Sequence, residues 1–121
     1  MYMTINGWTK AKMIEAIQTK MLDHVSAAWS VKSESMLCAY QAPDGNRCAV
    51  GVFMPDGHSG LGLKGGAGEL LDTYPDLIPV MPLPPVGLSS MQAAHDTFNN
   101  TSADPRPAVI QWINDNVVDA V

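Results

Sequence analysis

Residues with chemical options crowd into one stretch, Cys38 to His58, which reads Cys-Ala-Tyr-Gln-Ala-Pro-Asp-Gly-Asn-Arg-Cys-Ala-Val-Gly-Val-Phe-Met-Pro-Asp-Gly-His. It holds both cysteines, one of three histidines, two Pro-Asp-Gly turns and one of two arginines. Three kinds of chemistry are open to it. A nucleophilic cysteine needs a lowered thiol pKa and a base. Cys48, preceded by Arg47, is the candidate, with His95 as its base once the fold brings them together. Asp96 is not placed to orient His95, because adjacent helical residues point about 100° apart. A metal centre would draw on Cys38, Cys48, His58 and His95, a Cys₂His₂ set. Its Cys-x₉-Cys-x₉-His spacing departs from the Cys-x₂₋₄-Cys opening of compact zinc sites. An anion cradle would use backbone N–H groups of the glycine loop 57–68 together with Lys64. Lys64, Gly62 and Gly65, with Arg47 and Tyr40, make up the candidate binding set.

Each of these has a plainer reading beside it. Cysteines in a reducing compartment are small buried hydrophobes more often than sites. A turn centred on Asp44-Gly45 sets Cys48 opposite Gln41 and leaves Cys38 about 10 Å along the ladder at ~3.4 Å per residue. That exceeds the roughly 7 Å Cα limit for a disulfide. A turn centred on Pro43-Asp44 sets Cys48 opposite Ala39, with Cys38 on the other face. His95 falls on an apolar helical face with Leu88, Met91 and Phe98. Gly60-Leu61-Gly62-Leu63-Lys64-Gly65 spells Gly-x-Gly-x-x-Gly but lacks the βαβ setting of a dinucleotide site. The constellation therefore defines no reaction, and no cofactor is expected.

The elements that position these residues follow from pattern. Ile14, Ile17, Met21, Val25 and Ala28 make a helical stripe over 9–28. Thr9 is its N-cap, although Lys10 and Lys12 oppose the helix dipole. Residues 37–42 suit a short strand, Ala42 to Asn46 a turn, and 47–54 either a return strand or a short helix with Ala49, Val52 and Phe53 inward. The glycine loop follows, then one or two helical turns at Glu69–Tyr74. Five prolines between Tyr74 and Gly87 predict an extended crossing segment pinned by Leu77, Ile78, Val80, Met81 and Leu83. A second helix is predicted over 88–99. A third, near 105–119, is capped by Asp104, with Pro105 at its first position. The sum is a small single α+β domain, mostly helical, with three main helices and a short β element around residues 37–50.

Bulk properties narrow the function classes. The 121 residues are 46% hydrophobic and 16% charged, as expected of a globular chain. The net charge is −5. Residues 1–68 hold six Lys/Arg against five Asp/Glu, whereas 69–121 hold Arg106 against seven acids. That distribution excludes a nucleic-acid reader, which needs a basic footprint, and suits docking on a basic protein surface. The N-terminus lacks a basic region followed by an apolar core, so a cytosolic location is expected.

Cys38-x-Tyr40, Asp44-Gly45-x-x-Cys48-Ala49-x-Gly51 and Pro55-Asp56, followed by Met91-Gln92-x-x-His95-Asp96, resemble a group of small uncharacterised proteins of tailed phages and prophages. Gln41 stands where that group commonly has a basic residue, and Phe53-Met54 replaces Leu-Ile. Residues 58–68 and the proline segment have no counterpart, so the resemblance covers the middle of the chain and one later helix. It carries over no catalytic role. It implies a phage accessory protein in the host bacterial cytoplasm that binds and inhibits a host protein or complex, with antidefence (anti-CRISPR or immune-signal blocking) as the leading expectation. A cysteine enzyme using Cys48 and His95 and a nucleotide-signal sponge using the glycine loop are the alternatives. A homo-oligomer is left open.

Overall fold

The computed structural model describes residues 1–23, 40–42, 44–62, 66–96 and 104–120. They form a mostly helical unit with a short two-stranded sheet. The elements are β1 (Tyr2–Met3), α1 (Lys10–Lys20), α2 (Ala67–Thr73), α3 (Pro85–Asp96), α4 (Arg106–Asn116) and β2 (Val117–Val118). Single 3₁₀ turns occupy Gly51–Phe53, Ser59–Gly62 and Pro75–Leu77. The expected class, mostly helical α+β, is the observed one. No described helix is long and apolar enough to cross a membrane.

The sheet lies at the two ends of the described chain. β1 and β2 pair in parallel, Tyr2 with Val117 and Met3 with Val118. The expected β region holds a single antiparallel bridge, Gln41 with Arg47. The helical stripe of the last segment stops earlier than expected: Val117 leaves the helix in extended conformation (φ −118°, ψ 137°) and enters the sheet.

α1 begins where the sequence places it. Thr9 is extended and its Oγ1 accepts the N–H of Lys12 at 3.2 Å. The dipole mismatch of Lys10 and Lys12 is offset from far along the chain, because Asp119 Oδ1 accepts the Lys10 N–H at 2.6 Å. The helix ends at Lys20 instead of continuing to residue 28. Met21 turns extended, and the next N–H, of Leu22, goes to Asn46 Oδ1 at 2.8 Å. Residues 24–28, with Val25 and Ala28 of the predicted stripe, lie outside the described residues. Met13, Ile17 and Met21 are the buried face.

The proline segment is not extended throughout. Pro75 opens a 3₁₀ turn and Pro85 opens α3, three residues before the expected start. A proline in a first turn forfeits no hydrogen bond, because that N–H has no partner within the helix. Leu77, Met81 and Leu83 enter the core, while Ile78 is 54% exposed. Prolines leave carbonyls without a ladder to accept from. Here the 5–8 loop supplies donors: Asn6 Nδ2 to Ile78 O and Met81 O, both 2.8 Å, Trp8 Nε1 to Val80 O at 2.7 Å, and Ile5 N–H to Pro82 O at 2.9 Å. α4 starts one residue later than expected, with Pro105 at the cap position and not at the first helical position; Asp104 Oδ1 still accepts the Arg106 N–H at 3.0 Å, from one residue before the cap.

Candidate functional site

The 40–62 segment is built around a tight turn. Ala42 N–H donates to Asn46 O, Gly45 N–H to Ala42 O, and Asp44 Oδ1 accepts from Asn46 N–H at 3.0 Å. Gly45 has φ +89°, which glycine adopts without strain. The bridge sets Arg47 opposite Gln41, so Cys48 faces Tyr40. This register differs from those of turns centred on Asp44-Gly45 or Pro43-Asp44, because the loop holds five residues, an odd number. After Cys48 the chain curls into the Gly51–Phe53 turn, with Ala49, Val52 and Phe53 buried, so the helical reading of 47–54 prevails.

The groups that suggested chemistry are used to hold backbone. Arg47 is 6% exposed. Its Nη1 donates to Met54 O at 2.8 Å and Gly51 O at 3.4 Å, and its Nη2 to Asp56 Oδ1 at 2.7 Å. Asp56 also meets Lys20 Nζ at 3.5 Å. Lys20 first, then Arg47, hold the Asp56 carboxyl below its ordinary value. Cys48 is 1% exposed, and its Sγ accepts the Gly51 N–H at 3.4 Å. Tyr40 is 2% exposed, and its hydroxyl is pushed upward in pKa by burial, then by Cys48 and Glu69. Gly51 lies so close to Tyr40 that a Cβ there would sit 2.0 Å from the Tyr40 carbonyl oxygen.

His58 is spent on both ring nitrogens. Nδ1 accepts the Gly60 N–H at 2.8 Å, so the proton is on Nε2, which lies 2.8 Å from Asp76 Oδ2. Its ring meets Tyr74 edge-on at 5.1 Å. This ties the Ser59–Gly62 turn to the Pro75–Leu77 turn and leaves no lone pair for a general base or a metal. His95 is fully buried on α3 beside Leu88 and Met91, with Nδ1 3.4 Å from Gln92 Nε2. It stands on a different element from Cys48. No group of three or more His, Cys, Asp or Glu that could hold a metal occurs among the described residues. Cys38, Lys64 and Gly65 lie outside those residues. Gly62 is exposed at the end of its turn.

An open groove of about 350 Å³ runs between α1 and the 52–55 segment. Lys12, Glu15, Ala16, Thr19 and Lys20 form one wall, Val52 to Pro55 the other, and Trp8 and Val80 also line it. Trp8 stands edge-on to Phe53 at 5.2 Å. The sequence reading did not single out this wall. Its signal is the spacing of 12, 15/16 and 19/20, a helical stripe with small residues at its middle.

No protein-family model matches the chain, and no match is found among curated proteins or solved structures.

Proposed function

We propose that this chain is a non-enzymatic accessory protein of tailed phage or prophage type that binds a host component and inhibits it, with an antiviral defence complex as the target class. One observation carries the non-enzymatic part. Arg47, Cys48 and His95 are buried, and Arg47, Cys48 and His58 each bond backbone atoms, as residues that hold a fold do. The phage setting rests on the motif resemblance. The acidic exposed residues of the second half, Glu69, Asp72 and Asp115, support docking on a basic partner surface.

The test is phage plating on bacteria that carry an active defence system and express the chain. Restored plating is expected, kept by Cys48→Ala and lost when Glu69 and Asp72 are both changed to Lys. Native mass spectrometry of the purified protein then identifies what it holds. A stoichiometric nucleotide would replace this reading with the sponge, and turnover abolished by Cys48→Ser would replace it with the enzyme.

A further inference from the structure

The α1 groove has a sign and a length, and both point to one class of occupant. Of the five Lys and Arg among the described residues, three (Lys10, Lys12 and Lys20) belong to α1, and two of these, Lys12 and Lys20, line the groove, in a chain of net charge −5. Asp119 is taken up at the Lys10 N–H. Asp56 is shared between Arg47 and Lys20, two cations for one carboxylate. On the rim itself the order along the helix is Lys12, Glu15, Lys20; Lys12 Nζ donates to Gly7 O at 3.4 Å, and Lys20 shares Asp56 with Arg47, which leaves one net positive charge at that end. The middle of the wall is low, made by Ala16 and Thr19, and faces Phe53, Met54 and Trp8.

Lys12 and Lys20 are eight positions apart, about 12 Å at ~1.5 Å per helical residue. An extended chain covers that distance in four residues at ~3.4 Å each, and its positions i, i+2 and i+4 face the same way. We infer that the groove binds an extended acidic segment of a partner protein, of the form acid-x-apolar-x-acid. The outer carboxylates meet Lys12 and Lys20. The central apolar side chain lies over Ala16 toward Trp8 and Phe53, where Glu15 disfavours a third carboxylate. This inference stands apart from the proposed function: it needs neither a defence complex nor the acidic second half.

The probes are the peptides Gly-Glu-Ser-Leu-Ser-Glu-Gly, its Lys-for-Glu counterpart and its Ser-for-Leu counterpart, titrated into ¹⁵N-labelled protein. Shifts are expected at the amides of Lys12, Ala16, Thr19 and Val52 to Met54 with the first peptide. The other two should bind roughly tenfold more weakly, as expected for the loss of two rim ion pairs or of one apolar anchor. In a Lys12→Glu, Lys20→Glu double variant the Lys peptide should become the better ligand. No shifts at these amides, equal shifts with the Lys peptide, or an unchanged preference in the double variant would overturn the inference. So would concentration-dependent broadening of the same amides without peptide, which would assign the groove to a second copy of this chain.

Discussion

Gly51 and Gly62 separate two meanings of glycine. At Gly51 any side chain would collide with the Tyr40 carbonyl, which is backbone and held in the turn. Gly51→Ala is expected to destabilise by ~3 kcal/mol or more, beyond the usual range for overpacking. At Gly62 an added Cβ meets nothing within 4 Å, and its φ is not in the left-handed region. Gly62→Ala should leave stability unchanged or raise it by ~0.4–1 kcal/mol. Urea denaturation of the two variants side by side checks both. Asp56 gives a pH signature. Its folded pKa lies below its ordinary 3.8, so its contribution is present above about pH 4 and is lost as pH falls through the folded value. The gap in urea midpoint between pH 7 and pH 3 should therefore narrow in Asp56→Asn. The Asp-Gly-x-x-Cys-Ala-x-Gly run was visible in the sequence, but its use was not. Asp44 turns onto Asn46, Cys48 receives the Gly51 N–H, and Gly51 admits Tyr40. Spacing alone does not distinguish such a knot from a reactive site, because burial decides between them.

Helices and turns show a similar division between what is local and what is not. The starts of α1 and α4 were legible, the second to within one residue, because Thr9 and Asp104 act within three residues. The end of α1 was not, since Leu22 turns to Asn46, a partner beyond the next segment. The proline run reads as extended from sequence alone for a related reason, although Pro75 and Pro85 open helical turns. Proline forbids helix interiors but suits first turns, and its position within a turn depends on what lies upstream. Thr9→Ala should cost ~1 kcal/mol, the usual value of an N-cap. His58→Ala should cost ~1–3 kcal/mol, because it strips two hydrogen bonds from the link between neighbouring turns. Amide exchange distinguishes the two variants. The first should speed exchange at Lys12 only locally, whereas the second should expose Gly60 and Leu61 together.

Across the whole molecule, the clasp between the first and last described segments closes the fold. Thr4 N–H donates to Val118 O, and Thr4 Oγ1 accepts the Ala120 N–H at 2.9 Å. Tyr2 stacks on Trp112 at 5.8 Å. The amides of Thr4, Lys10 and Ala120 should therefore exchange as one unit, and Thr4→Val should release them together at ~1 kcal/mol. Strands two residues long carry no periodicity, so their pairing could not be read from the sequence, which places the β element around residues 37–50 instead. This pairing also sets an order of events during synthesis. β1, Thr4 and Lys10 are synthesised well ahead of their partners Val117, Val118, Asp119 and Ala120, which follow more than 100 residues later. At ~5–20 residues per second, the early segment waits roughly 5–20 s with its partners unmade. For that interval Tyr2, Met3 and Ile5 are open to chaperones, and a stalled nascent chain has an unclosed sheet whatever its helices have done.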